Sequence, residues 1–404
     1  MFRPITVAQL TSGAPGHTLV LADASQPVPA LEAWAGQARA VYMDPPFMTG
    51  ERYTARHPYG ETGWRRGKPA VETEGFGDSF PDRASFLAFL RGLLENAGQL
   101  LREDGVVMLH LDWRVSAHAR LLCDEVFGEE QFLNEIIWAY ESGGRGIRHF
   151  SRKHDTILIY GKTSRARLYP DRAGVRKNSL RRNHLRRGVD GDGRAYGSIT
   201  VRGKEYRYYD DEPVYPGDVW TDIGFLQQRD PERTGYATQK PLKLLERLLL
   251  PVTSPGDWVV DLCCGSGTAL EAAQRLECRF AGMDLNPEAV AIALSRLKAE
   301  NLTVVCPCGK GKAELLAGDD PESGRFRVKG LAEENPLFPA RQTPEDNLES
   351  WETGRIEDGV FYAEQRFARS FRYPELTGDL RAEPGSIRAV MTTDAAGIRR
   401  AYIR

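Results

Sequence analysis

Between Leu19 and Lys298 the sequence alternates two kinds of apolar pattern, and this alternation restricts the fold more than any other feature. Leu19-Val20-Leu21 and Ala40-Val41-Tyr42-Met43 are short apolar runs, each ended by an Asp, as buried strands of a parallel sheet are. Phe86, Leu87, Phe89, Leu90, Leu93, Leu94, Ala97, Leu100 and Leu101 recur at three- and four-residue spacing, which predicts an amphipathic helix stopped by Gly105. The same reading predicts strands over 106–111, 135–139, 156–160, 258–262 and 279–283. Helices are expected over 117–127, 241–250, 268–276 and 287–298. Strands joined by crossover helices imply a doubly wound α/β sheet covered on both faces.

With 404 residues, 41% hydrophobic, 27% charged and a net charge of −2, the chain is an ordinary globular composition with room for two or three domains. Disorder, collagen and wholesale polybasic binding are not expected. Residues 4–22 carry no charge, but Gly13, Pro15 and Gly16 interrupt any signal-peptide core, so the start reads as cytoplasmic. No run approaches the ~20 apolar residues that span a bilayer, and a membrane-embedded protein is not expected. Six cysteines, two of them adjacent at Cys263 and Cys264, fit a reducing compartment. Cys306-Pro307-Cys308 has no partner pair at zinc spacing, so no metal centre is expected.

The charges are unevenly spread. Residues 161–210 hold fourteen Lys or Arg against five Asp or Glu, a basic insert in an otherwise acidic chain. Tyr169, His184, Tyr196, Tyr206, Tyr208 and Tyr209 interleave with it, a pattern suited to phosphates and stacked bases, although a solvated charged face would read the same way. From about Lys310 the chain becomes Pro-, Gly- and acid-rich. Strand-like stretches follow over 360–373 and 386–404, with a hairpin-like turn at Asp394-Ala395-Ala396-Gly397.

Val259-Val260-Asp261-Leu262-Cys263-Cys264-Gly265-Ser266-Gly267-Thr268 reads as strand, glycine turn and helix, the place where doubly wound sheets hold nucleotides. The spacing is not that of a dinucleotide fingerprint, because Thr268 follows Gly267 directly and Leu270 stands where a further glycine would. Asp284, ending the next strand, can accept from ribose hydroxyls; its alternative use is to cap the helix at Pro287, a role for which Asn286 competes. Asp44-Pro45-Pro46-Phe47 directly follows a strand. Two prolines fix the backbone and remove two N–H donors, leaving the Asp44 carboxylate and the Pro45 carbonyl as rigid acceptors suited to an amino group. Phe47 adds a flat face on which a ring can lie.

Together, Asp44 to Phe47 and Asp261 to Thr268 resemble the motifs of the S-adenosylmethionine-dependent DNA amino-methyltransferases. The order, tetrapeptide first, then basic region, then glycine turn, is similar to that of their permuted β group. Tyr236 to Arg247, Arg102 to Gly105 and His154 to Tyr160 are similar to segments of the same group, and the resemblance covers about residues 17–300. Two positions depart from the pattern: Cys263 stands where Phe is usual, and Phe47 where Tyr is common.

The resemblance implies a Rossmann-like methyltransferase sheet with a basic target-recognition region inserted and a small β-rich appendage. The expected division is a catalytic half over 1–160, target recognition over 161–235, a cofactor half over 236–305 and an appendage of unread role over 306–404. It implies methyl transfer from S-adenosylmethionine to the exocyclic amino group of a flipped base, adenine N6 favoured over cytosine N4 because position 44 is Asp. Asp44, Pro45, Pro46 and Phe47 would be catalytic. The cofactor would lie on Asp261, Cys263, Cys264, Gly265, Ser266, Gly267, Thr268, Asp284 and Leu285, with its carboxylate near Thr238 and Lys240 and its adenine near Asp23. Arg145, Arg148, Arg181, Arg182, Arg186 and Arg187 would meet DNA, and residues 48–82 would form a long lid-like loop. Expected partners are double-stranded DNA, with a separate restriction endonuclease and a second copy of the chain as further candidates.

Three rivals remain open. Cytosine-C5 methylation would need a nucleophilic cysteine, and Cys308 lies on the wrong side of the glycine turn from the Asp44 strand. RNA or protein-amide methylation uses related tetrapeptides. A non-enzymatic DNA-binding protein would need neither the intact tetrapeptide nor Asp284.

Overall fold

The computed structural model describes residues 3–5, 17–26, 32, 34–58, 70–141, 147–174, 185–212, 215–297, 303–305, 314–320, 325–332, 348–357, 360–368, 379–381, 389–394 and 399–403. Nine strands form the central part of one sheet: β1 (Thr18–Leu21), β2 (Ala38–Met43), β3 (Leu101–Asp112), β4 (Phe132–Ala139), β5 (His154–Gly161), β6 (Val219–Trp220), β7 (Trp258–Asp261), β8 (Arg279–Asp284) and β9 (Thr303–Val305). Their spatial order is β9-β1-β8-β7-β2-β3-β5-β4-β6. All neighbours from β9 to β3 pair in parallel, β5 runs antiparallel between β3 and β4, and β6 lies parallel to β4. This is the doubly wound α/β architecture, with one antiparallel strand inside it.

Among the described residues, five helices cover the sheet: α1 (Arg83–Leu100), α2 (Ser116–Phe127), α3 (Leu242–Leu249), α4 (Thr268–Arg275) and α5 (Pro287–Arg296). Alternate residues of the central strands feed two separate cores. Ala40, Tyr42, Val106 and Met108 point to the face covered by α3 and α4, while Val41, Met43, Val107 and Leu109 point to the face covered by α1 and α2. Period-two alternation puts consecutive strand residues on opposite faces, so strands buried on both read as unbroken apolar runs. No helix among the described residues is long and apolar enough to cross a membrane.

Helix α1 starts where Asp82 accepts the Ser85 N–H at 2.7 Å. It ends at Leu100, and β3 begins at once at Leu101, so Gly105 lies inside the strand and is not the helix stop expected from the sequence. A Cβ at Gly105 would come within 2.8 Å of the Arg102 carbonyl and 2.9 Å of the Ala38 carbonyl, so its glycine serves a close backbone approach. The expected long loop over 48–82 also differs. Arg52–Pro58 and Ala70–Gly77 pair as an antiparallel hairpin.

The basic insert contains a separate three-stranded sheet of Arg186–Val189, Ala195–Val201 and Lys204–Tyr209. The tail is β-rich, with Asp394 and Arg399 bracketing the expected hairpin. Its strands extend the central sheet beyond β9, through Val360–Ala368, Leu348–Glu357, Ala389–Asp394 and Arg399–Ile403 to Arg3–Ile5 from the other end of the chain. Trp351, stacked on Phe367 at 4.2 Å, packs with Phe326 in a small core there.

Candidate active site

The carboxyl ends of β1, β2, β7 and β8 converge on a cleft of about 630 Å³. It is lined by Asp44 to Phe47, by Asp261 to Ser266 with Thr268, by Asp284 and Leu285, and by Asp23, Thr238 and Lys240. Residues separated by more than two hundred positions thus share one cavity. Parallel strands end on the same edge, and the register that puts Tyr42 opposite Asp261 and Asp261 opposite Gly282 fixes the two motifs side by side.

Gly265 and Gly267 have φ of 48° and 76°, in the left-handed region. A Cβ at Gly267 would lie 2.9 Å from that of Ala293, so glycine there is a packing requirement as well. The Asp284 carboxylate accepts the Gly265 N–H and the Asn286 N–H, each at 2.8 Å, which pins the glycine turn to the end of β8. Burial pushes the Asp284 carboxyl up to about 6, against the opposing pull of those backbone donors. Burial likewise drives Asp261 well above the carboxylate range, although it accepts the Cys263 N–H at 3.0 Å. Cys263 is partly buried on the cleft wall and its thiol is pushed up by burial. The Asp23 carboxylate accepts both the N–H and the hydroxyl of Ser25, a local turn contact at the cleft edge.

Asp44 is held differently from what its neighbours in sequence suggest. Its Oδ2 accepts from Lys240 Nζ at 2.6 Å, and its Oδ1 is buried with no hydrogen-bond partner. The Lys240 ammonium also lies 5.1 Å above the Phe47 ring. Lys240, expected near the cofactor carboxylate, therefore faces the tetrapeptide. Its loop is fixed by Gln239, which accepts from the Thr234 N–H and hydroxyl and donates to the Glu232 carbonyl at 2.8 Å.

Three supporting groups escaped the sequence reading. Asp78 accepts the Met48 N–H at 2.6 Å and the Thr49 N–H and hydroxyl at 3.1 and 2.6 Å, clamping the loop after Phe47, where Met48 has a φ of 57°. Beneath Phe47, His110 bridges Tyr42 Oη at 2.8 Å and Asp155 at 3.1 Å, and Tyr140 donates to Asp155 at 3.0 Å. Burial acts to raise the Asp155 carboxyl, but its hydrogen bonds and the nearby cations outweigh it and leave it below the usual range. Arg296 joins α5 to the glycine turn by donating to Thr268 Oγ1 at 2.9 Å, and it also reaches Glu232 and Glu271. No local pattern marks these residues, since each acts on a partner distant in sequence.

Of the expected DNA contacts, Arg145, Arg181 and Arg182 lie outside the described residues. Arg148 and Arg186 are exposed. Arg187 is committed to a paired-nitrogen contact with Asp210, and Arg194 and Arg207 are likewise bridged to nearby carboxylates.

The cleft acquires its context from known proteins. A family model described as DNA methylase, of the N6/N4 type, matches residues 38–295. The chain belongs to this family. The DNA methylase match begins at β2 and ends within α5, so it takes in both cleft motifs and the basic insert. Among the chain's relatives is the type II methyltransferase M.EcaI of Enterobacter cloacae, 24% identical over 318 residues, covering 66% of this chain and 66% of the relative. The DNA adenine methyltransferase YhdJ of Escherichia coli (strain K12) is 26% identical over 213 residues, 52% of this chain and 67% of that one. A similar solved structure is that of the PvuII DNA methyltransferase (cytosine-N4-specific), with a TM-score of 0.44 and 14% identity over 72% of this chain and 89% of that one. The aligned stretch leaves about a third of M.EcaI unmatched.

Proposed function

We propose that this chain transfers a methyl group from S-adenosylmethionine to the exocyclic amino group of adenine in double-stranded DNA. One observation carries the reading. Asp44, whose Oδ1 is a buried acceptor without a hydrogen-bond partner, lines the same cleft as Gly265 and Asp284. A buried acceptor left unpaired is unfavourable unless a guest completes it, and an amino group is the donor that does so.

The residues present fit the cofactor. The cleft volume lies within the range of small-molecule sites. Gly265 offers backbone without a side chain on the cleft wall, Asp284 has acceptor capacity for ribose hydroxyls beyond its backbone contacts, and Asp261 can meet an ammonium group. Bound there, S-adenosylmethionine supplies an electrophilic methyl on sulfonium.

The amino nitrogen of a nucleobase is a poor nucleophile because its lone pair is delocalised into the ring. Hydrogen bonds to Asp44 Oδ1 and the Pro45 carbonyl favour a pyramidal nitrogen and aim its lone pair, and Asp44 is the acceptor beside the proton that must leave. Phe47 supplies the stacking face, kept in place by His110, whose ring lies 6.3 Å away and nearly parallel. Lys240 balances the charge of Asp44 on its other oxygen. The target must leave the duplex to reach this cleft, and the basic insert with Arg186 and Arg148 is the surface that holds the phosphates meanwhile.

Adenine is favoured by Asp at position 44 and by the likeness to the DNA adenine methyltransferase YhdJ. The test is to incubate the protein with plasmid DNA and labelled S-adenosylmethionine, digest to nucleosides and identify the labelled base. N6-methyladenine supports the reading, N4-methylcytosine moves it to the other amino base, and label on neither overturns it.

A further inference from the structure

Ile147 and Phe150 are 99% and 98% exposed, the most exposed large apolar side chains among the described residues. They stand in the connection from β4 to β5, and between Ile147 and Lys153 the chain has Arg148, His149, Arg152 and Lys153 with no carboxylate. The root of this connection is fixed. Tyr140 N–H donates to the Lys153 carbonyl at 3.0 Å, and the Arg152 guanidinium lies 3.6 Å from the ring of Trp113, which follows β3.

That root adjoins the target side of the cleft. Tyr140 donates to Asp155, Asp155 meets His110, and His110 stacks with Phe47. Apolar side chains held in water by a basic segment anchored at Arg152 and Lys153 fit a partner that offers both phosphates and an apolar gap. DNA with one base swung out of the stack is such a partner, because the vacated step exposes ring faces between two charged backbones.

We propose that Phe150, flanked by Ile147, is a wedge that enters the duplex step emptied by the target base. This rests on the base-methylation reading above. Phe150 is a positioning residue, acting on the duplex and never touching the reacting atoms. Its work is to hold open a step that the paired target base would otherwise refill, so its importance depends on whether the target is paired.

The test compares the parent protein with Phe150→Ala and Phe150→Trp on two duplexes that carry the mapped methylation site, one fully paired and one with an abasic position opposite the target. Phe150→Ala is expected to lose at least tenfold in kcat/KM on the paired duplex and to recover to within about threefold of the parent on the abasic one. Phe150→Trp, which keeps a ring, is expected to retain most activity on both. In parallel, 2-aminopurine at the target should brighten less with Phe150→Ala than with the parent. An equal loss on both duplexes, or no loss on either, overturns the wedge while leaving the methylation reading intact. A parent that methylates neither duplex overturns that reading and the wedge with it.

Discussion

Lys240 Nζ sits 2.6 Å from Asp44 Oδ2, joining residues 196 positions apart, and both side chains are mostly buried. The ion pair links the loop ahead of α3 to the strand end that carries the tetrapeptide, so the halves of the cleft are tied by charge as well as by the sheet. Removing one member alone leaves the other unpaired in a low-dielectric cleft, which is more unfavourable than removing both. A double-mutant cycle of Lys240→Met and Asp44→Asn, followed by chemical denaturation, is expected to show a coupling of about 1–3 kcal/mol. Additive single effects would mean that the pair does not form in solution.

Asp44→Asn keeps the size of the side chain and puts an NH2 where one acceptor stood. Methyl transfer should be abolished while S-adenosylmethionine still binds in calorimetry, because the glycine turn and Asp284 are untouched. Turnover at the parental rate would remove Asp44 from the chemistry.

Asp284 gives a pH dependence with a defined sign. Its folded carboxyl titrates at about 6 where an unperturbed one titrates at 3.8, so the folded chain takes up the proton more readily than the unfolded chain. That contribution to fold stability is full below the lower value and is lost as pH rises through about 6. Cofactor affinity runs the opposite way. Only the ionised carboxylate is purely an acceptor for ribose hydroxyls, so affinity should weaken by up to about tenfold per pH unit below 6. Calorimetry from pH 5 to 8 checks this, and Asp284→Asn should bind weakly with a flat profile. A sloping profile in that variant would assign the titration to another group.

Asp78 acts on the loop after Phe47 through three hydrogen bonds and holds Met48 in a left-handed conformation that a non-glycine residue adopts at a cost. Asp78→Ala is expected to lower unfolding stability by about 2–3 kcal/mol, the value of charge-assisted bonds in a buried setting. Single-turnover methyl transfer should slow more than cofactor affinity falls. The reverse ordering would make Asp78 a cofactor ligand.

Arg186 and Arg187 are neighbours with unequal expected roles. Arg187 is neutralised by Asp210, while Arg186 is exposed on the same strand. Arg186→Gln should lower DNA affinity and flatten its salt dependence by about one unit of slope, and Arg187→Gln should change the slope less. Equal slopes for the two variants would mean that Asp210 releases Arg187 when DNA binds.

Local sequence determined much of this protein. Short, mostly apolar runs specified β1, β2, β7 and β8, three- and four-residue spacing specified α1, and two prolines or two glycines specified the turns that carry the chemistry. These signals act within a few residues of chain, so they are legible without neighbours. Tertiary structure alone decided who partners whom. It set Lys240 on Asp44, put His110 between Tyr42 and Asp155, clamped Met48 with Asp78 and cancelled Arg187 with Asp210. It also turned part of the expected lid into a hairpin and joined the tail to the central sheet beyond β9. The physical reason is that a charge or a hydrogen-bonding group is satisfied by whatever lies within about 3 Å. That proximity is set by how strands align and helices pack over hundreds of residues.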